Sequence, residues 1–316
     1  MSANTALPMT MPSAMPTTLS TAAICAFSRA YHAKMGGQVF NDYLAYDLIG
    51  EDNYQIIHER IENEPVFGPL SVGDVMTEYL DPILLSRAQF AESELADFAA
   101  AHENVQYVIC GAGFDTFAFR NDNPNIKVFE IDQPKMRAQK LARIAKLGWD
   151  IPGNVSFVPV DFEHDDLTQQ LLNAGFDAKQ KTFFSILGVT YYLPLPVFAT
   201  TIDKISKLSA PGSKLVFDYP DQHLHAGAVG RVGGERRDGE LGRVATLAQF
   251  AATVGERMRG GYSLAALRSV LDAKGMEVVE YFAPQQIEKQ FLNGTGGLQY
   301  KAFDNVHFML SSLKER

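Results

Sequence analysis

From Gln106 onward, short runs rich in β-branched and aromatic residues alternate with longer stretches of helical periodicity, and few architectures accommodate that alternation. The runs are QYVICG (106–111), KVFEID (127–132), VSFVPVD (155–161), TFFSILGV (182–189), KLVFDYP (214–220), EVVEYFA (277–283) and NVHFMLSS (305–312). Between them PKMRAQKLARIAKLG, HDDLTQQLLNAG, LPVFATTIDKISKLS and SLAALRSVLDAKG carry amphipathic helical spacing, the last stopping at Gly275 as a helix C-terminus would. Strands joined through helices run parallel, because the crossover returns the chain to the same end of the sheet. The expected fold is therefore α/β: a Rossmann-like, seven-stranded, mainly parallel sheet with helices on both faces. The sixth and seventh runs lack a clear helix between them, which suits an antiparallel final pair, although QQIEKQFLNGTGGLQYKAF leaves room for one short helix.

Ahead of the alternating region, residues 21–101 repeat apolar side chains at helical spacing, as in AAICAFSRAYHAK and DPILLSRAQFAESELADFAAAH. They are expected to form a helical cap packed on a core spanning 102–316. Residues 1–20 are rich in Pro, Ser, Thr and Met, without Lys, Arg or a continuous apolar run, and read as a disordered leader rather than a signal or membrane anchor. Residues 222–262 interrupt the pattern with a Gly/Arg-rich stretch and an alanine-rich helix, the expected lid. The net charge of −9 opposes a nucleic-acid partner, since such binding needs clustered cations to neutralise phosphates. Arg231, Arg236, Arg237 and Arg243 are interleaved with Glu235, Asp238 and Glu240, first a solvated face and second a clamp for an acidic ligand. Cys25 and Cys110 show neither C-x-x-C nor metal-ligand spacing, so no metal site is expected and a reduced, cytoplasmic setting is. The oligomeric state leaves no signature.

Three motifs carry chemistry. ICGAGFDT (109–116) runs a strand into a glycine turn that should open a helix, where bare backbone can approach a ligand closely. A dinucleotide fingerprint would place a third glycine where Thr116 stands, which weakens a nicotinamide oxidoreductase reading. About twenty residues on, FEIDQP ends the second strand with Asp132, placed to accept both hydroxyls of a ribose or, more simply, to cap the helix at Pro134. Glu130 shares its face and could fix the glycine turn. VDFEHDD closes the third strand with Asp161, which can accept from an exocyclic amine such as adenine N6 while Phe162 frames the ring, or can cap the next helix. At the carboxyl ends of three successive strands these motifs share one crevice.

With FSRAYHAK…VFNDYLA, LLSRAQF, GAGFDTFAFR, FEIDQP, VDF and LGVTYYL (187–193) in place from about Ser20 to the C-terminus, the chain resembles the leucine carboxyl methyltransferase family and its bacterial small-molecule O-methyltransferase relatives. The resemblance implies a class I fold and S-adenosyl-L-methionine as cofactor. It also implies that Arg87 binds the methionine carboxylate, that Gly111 and Gly113 line the methionine moiety, and that Gly188 of LGVTYYL joins the cofactor site. Asp132 would hold the ribose, Asp161 with Phe162 the adenine, and Arg29 would assist at the carboxylate. Two positions depart from the family pattern: Leu187 where a glutamate is usual, and Gln89 where a second arginine is usual.

Methyl transfer from a sulfonium is an in-line displacement that asks chiefly for alignment and exclusion of water. No catalytic residue is fixed by the sequence. Tyr191, Tyr192, Tyr219, His223 and His225 follow the fourth and fifth strands at the expected mouth, as acceptor-pocket residues or as plain packing and loop residues. The expected activity is O-methylation of a carboxylate or hydroxyl on a small molecule. The alternatives are carboxyl methylation of a protein C-terminus, and a non-catalytic cofactor-binding module suggested by Leu187 and Gln89.

Overall fold

The computed structural model describes residues 19–162, 164–222, 242–292 and 300–315. Five helices precede the sheet: α1 (Thr21–Lys34), α2 (Ala45–Ile49), α3 (Glu51–Glu62), α4 (Val72–Val75) and α5 (Asp81–Ala101). Ser20 caps α1 by accepting the Ala23 N–H, and Ser71 with Asp74 forms a capping box on α4. One π turn, Met76–Leu80, leads into α5.

The strands are β1 (Val105–Cys110), β2 (Ile126–Asp132), β3 (Val155–Pro159), β4 (Thr182–Ile186), β5 (Lys214–Pro220), β6 (Met276–Phe282) and β7 (Val306–Leu313), in spatial order β3-β2-β1-β4-β5-β7-β6. The first five are parallel, and β7 runs antiparallel to both neighbours. The expected seven-stranded, mainly parallel sheet is thus present, with its antiparallel final pair. The remaining helices are α6 (Phe117–Arg120), α7 (Pro134–Leu147), α8 (Leu167–Asn173), α9 (Leu195–Leu208), α10 (Arg243–Thr253), α11 (Leu264–Ala273) and α12 (Pro284–Ile287). α12 and a π turn at Glu288–Leu292 take up the short helical space before β7.

Strand alternation sorts the core into two halves. Tyr107, Ile109, Val128, Phe183 and Val216 face the cap helices, while Val108, Phe129, Phe184 and Phe217 face α8, α9 and α11. Two expected runs overshoot their strands: β3 stops at Pro159 and β4 at Ile186. Beyond those points the chain leaves the sheet to form the loops that carry Asp161 and Gly188. The expected leader falls almost wholly on residues 1–18, and much of the expected lid on 223–241; both stretches lie outside the described residues. The rest of the 222–262 region includes α10, whose Phe250 packs edge-on against Phe67 of the cap at 4.9 Å. Among the described residues no helix is long and apolar enough to cross a membrane.

Candidate functional site

Sheet order reverses at β1, which lies between β2 and β4, and ligand crevices of open α/β sheets form at such a point. Gly111 and Gly113 take φ of +79° and +52° there. The Gly111 and Ala112 N–H groups both donate to the Ile131 carbonyl, at 2.8 and 3.0 Å. A Cβ on Gly111 would stand 2.5 Å from Val189 Cγ2, so the turn admits no side chain. Asp132 Oδ2 accepts the Gly113 N–H at 2.6 Å and Oδ1 the Gln133 N–H at 2.7 Å, fixing the carboxylate against the turn. Burial raises its pKa, and these two N–H bonds work the other way.

Glu130 is fully enclosed and pairs with Lys140, which also donates to the Asp115 carbonyl beyond the turn. Burial pushes the Glu130 carboxyl up to about 7 despite that partner. Glu130 therefore braces the glycine loop from behind through Lys140. The helix expected at the turn starts only at Phe117, because Asp115 first accepts the Phe117 N–H at 2.6 Å.

Helix α1 covers this turn, with Ala22 Cβ 3.1 Å from where a Gly113 Cβ would be. Its first residue is clasped from the far side of the chain: Thr21 N–H and hydroxyl donate to the two oxygens of Glu256. Arg29 donates to Asp42 at 2.8 Å and to the Phe114 carbonyl at 2.9 Å, as a strut between α1 and the glycine loop. Asp42 also accepts from Thr116 and faces Arg120, itself forked onto Glu92. Burial opposes the Asp42 charge, but Arg29 and Arg120 overcome it and hold the carboxyl below its usual range. Thr116, where a third glycine would stand, is thus a buried member of this network.

Arg87 reaches from α5 to the other side of the crevice. Its Nη1 donates to Asp218 Oδ2 at 3.2 Å, and Asp218 Oδ1 accepts the Gly188 N–H at 2.7 Å. Asp218 has no exposed surface; burial works against the Arg87 charge, but the carboxylate more than offsets that and holds the guanidinium protonated. Gly188 has φ +71°, and a Cβ there would stand 2.5 Å from Arg87 Nη2. Nη2 also contacts Cys25 Sγ at 3.5 Å. Beside this pair opens a cavity of about 90 Å³, lined by Arg87, Gly188, Tyr191, Tyr192 and apolar side chains from α1, α5 and α10. Burial raises the pKa of both tyrosines, so each stays a phenol.

Not every sequence candidate converges. Tyr219 packs between Tyr262 and His307 in the opposite half-core, one residue out of phase with Asp218. Asp161 and Phe162, by contrast, follow β3 beside the end of β2, where the Val160 N–H donates to the Asp132 carbonyl at 2.8 Å; Asp161 Oδ2 meets His164 Nδ1 at 3.0 Å, Phe162 packs half-buried on the α8 side, and Asp166 caps α8. Leu187 packs toward the cap-side core. Arg243 bonds the carbonyls of Glu78, Lys301 and Ala302, which commits it to bracing. His223, His225, Arg231, Arg236 and Arg237 lie outside the described residues. Sequence reasoning missed Asp218 and Glu256. A lone acid in the apolar strand KLVFDYP was the available signal for Asp218; Glu256 offered none. Among the described residues no cluster of His, Cys, Asp or Glu could hold a metal ion.

Residues 22–206 match the family model described as leucine carboxyl methyltransferase. A Bacillus subtilis protein, provisionally named an S-adenosyl-L-methionine-dependent methyltransferase, is 31% identical over 307 residues, covering 92% of this chain and 96% of its own length. A similarly named Mycolicibacterium smegmatis protein is 34% identical over 191 residues, 59% of this chain and 60% of its own. Among solved structures, a DUF574-family protein of Streptomyces avermitilis aligns with a TM-score of 0.54 at 12% identity, over 92% of this chain and 97% of that one, a likeness of fold. The chain belongs to the leucine carboxyl methyltransferase family.

Proposed function

We propose that this chain is an S-adenosyl-L-methionine-dependent methyltransferase acting in the cytoplasm, and that it methylates a carboxylate or hydroxyl oxygen of a small molecule rather than nucleic acid. The observation that carries the reading is the continuity of one crevice wall. Asp132 is bonded to the Gly111–Gly113 turn, the turn abuts Val189, and the adjoining Gly188 abuts the Arg87–Asp218 pair. The residues present fit the cofactor: Gly111 and Gly188, where a Cβ would clash, and Gly113 at positive φ leave bare backbone, a half-buried carboxylate stands at the end of β2, and Arg87 uses Nη1 on Asp218 with further donors left.

When bound, S-adenosyl-L-methionine supplies a methyl group on a cationic sulfur that leaves as a neutral thioether. Arg87 would hold its carboxylate, the glycine turn its methionine stem, Asp132 its ribose hydroxyls, and Asp161 with Phe162 its adenine. Each Asp132 oxygen retains a lone pair beyond the N–H it already accepts. Arg29 acts from behind, holding the Phe114 carbonyl and the cap in place. Tyr191 and Tyr192, kept as phenols by burial, shed no proton near neutrality. An acceptor carboxylate needs no base, whereas a hydroxyl must lose its proton as the bond forms.

Calorimetry with S-adenosyl-L-methionine, followed by transfer of a tritiated methyl group to a panel of carboxylates and phenols, tests the proposal. Binding together with label in an ester or ether is the expected result. Binding without turnover across the panel would favour the non-catalytic module that Leu187 and Gln89 suggest.

A further inference from the structure

Helix α10 ends in a Schellman motif: Gly255 takes φ +86°, its N–H donates to the Ala252 carbonyl at 3.1 Å, and the Glu256 N–H donates to the Ala251 carbonyl at 3.0 Å. A little further on, the Arg259 and Gly260 N–H groups both donate to the Tyr191 carbonyl, at 2.8 and 2.7 Å, and a Cβ on Gly260 would collide with the Thr190 carbonyl. Glu256 is thereby pinned along the chain between α10 and the turn that follows β4. Its half-buried side chain reaches across to α1 and places both oxygens on Thr21, which in turn lines the cavity beside Arg87 and Gly188.

That placement sets a carboxylate alongside the middle of the proposed cofactor track. Asp132 would hold the ribose at one end and Arg87 the methionine carboxylate at the other, so the sulfur joining those two parts falls between them. Burial raises the pKa of Asp132 and of Tyr192, which stand toward opposite ends, and in both the Glu256 charge adds to the rise. Glu256 is therefore within electrostatic reach of both. Its charge is not spent on a cation: among the described residues its two oxygens accept from Thr21 and neither meets a Lys or Arg. Arg87 is matched by Asp218 and Lys140 by Glu130, which leaves Asp132 and Glu256 as like charges whose repulsion a cation between them would relieve.

We propose that Glu256 is a specificity-determining residue of the cofactor site, its carboxylate making the crevice favour the sulfonium of S-adenosyl-L-methionine over the uncharged thioether of S-adenosyl-L-homocysteine. The assignment rests on the methyltransferase reading. The two ligands share adenine, ribose, ammonium and carboxylate, and differ in one methyl group and in the charge on sulfur. Their affinity ratio therefore reads that charge, and a preference for the sulfonium makes the spent cofactor the weaker binder, which promotes its exchange.

The test is calorimetry of the full chain with each ligand in turn. The unaltered chain should bind S-adenosyl-L-methionine at least about threefold more tightly than S-adenosyl-L-homocysteine. Glu256→Gln keeps the length of the side chain and its hydrogen bonds to Thr21 but removes the charge; it should weaken S-adenosyl-L-methionine about fivefold and S-adenosyl-L-homocysteine by less than about twofold. Equal weakening of both ligands would make Glu256 a clasp on α1 and nothing more, and would overturn the assignment, as would a ratio that the substitution leaves unchanged. An unaltered chain that binds the thioether as tightly as the sulfonium overturns it as well, and that comparison decides even where Glu256→Gln does not fold. No heat from either ligand would sink the methyltransferase reading together with this one; heat from both without the expected ratio would sink this one alone.

Discussion

Arg87 and Asp218 stand 131 positions apart in sequence and 3.2 Å apart in space, and each makes the other's burial tolerable. Arg87→Ala should cost about 2–4 kcal/mol of S-adenosyl-L-methionine affinity by calorimetry, from a lost charge-assisted contact and a carboxylate left unpaired. Unchanged affinity would remove Arg87 from the cofactor site. Asp132→Ala should weaken cofactor binding in the same assay, and an unchanged dissociation constant would end the ribose assignment. The cap holds a different buried acid. Asp81 accepts from Ser28 at 2.7 Å and from Tyr300 at 3.3 Å, with His32 Nδ1 3.8 Å away, and burial pushes its carboxyl up to about 6. A native pKa above the unfolded value means the folded state holds the proton more tightly. This contribution to stability is full below about pH 4 and is lost as pH rises through about 6. Relative to Asp81→Asn, the unaltered chain should lose about 3 kcal/mol over that window, read from urea unfolding at each pH. Arg87 was legible in sequence through family resemblance alone, since a helical arginine by itself is usually a surface residue. Asp218 stayed hidden because its role depends on a partner supplied by tertiary structure.

Among the elements, the loops that follow the strands decide more than the strands do. Gly188 sits two residues beyond β4 in a left-handed conformation, and its missing side chain is the space that the Arg87 guanidinium occupies. Gly188→Ala should therefore lower thermal stability, by about 1–2 kcal/mol from the positive φ alone, and also weaken cofactor binding as Arg87 is displaced. Loss of stability with intact binding would separate the loop from the site. The strands and long helices could be read from periodicity, which reports burial on one side or both. The ends of β3 and β4 could not. VPVD and ILGV continue the apolar pattern past Pro159 and Ile186, because Val160 stays buried and Leu187 and Val189 half-buried after the backbone has left the sheet. The short α6 was likewise illegible, since Asp115 delays it through one local hydrogen bond.

For the molecule as a whole, the cap and the segment after β5 join over the crevice through a few identifiable contacts. Phe250 on Phe67, Glu256 on Thr21, and Arg243 on the Glu78, Lys301 and Ala302 carbonyls bind regions distant in sequence. Phe250→Ala should cost about 3–5 kcal/mol in chemical denaturation, as truncation of a packed aromatic does, and should loosen the chamber it lines. A cost below about 1 kcal/mol would mean that α10 is held elsewhere. The seven-stranded sheet and its helices on both faces followed from the alternation of apolar runs. How the cap closes did not, because contacts such as Thr21 with Glu256 obey no spacing rule. The central place of β7 carries a consequence for how the protein is made. β6 leaves the ribosome while its neighbour in the sheet, β7, is still unsynthesised, and the two are separated by a further helix and loop. At cellular rates of translation β5 must wait on the order of ten seconds with one bare edge and β6 a few seconds with both edges bare, a window in which a chaperone would find its target.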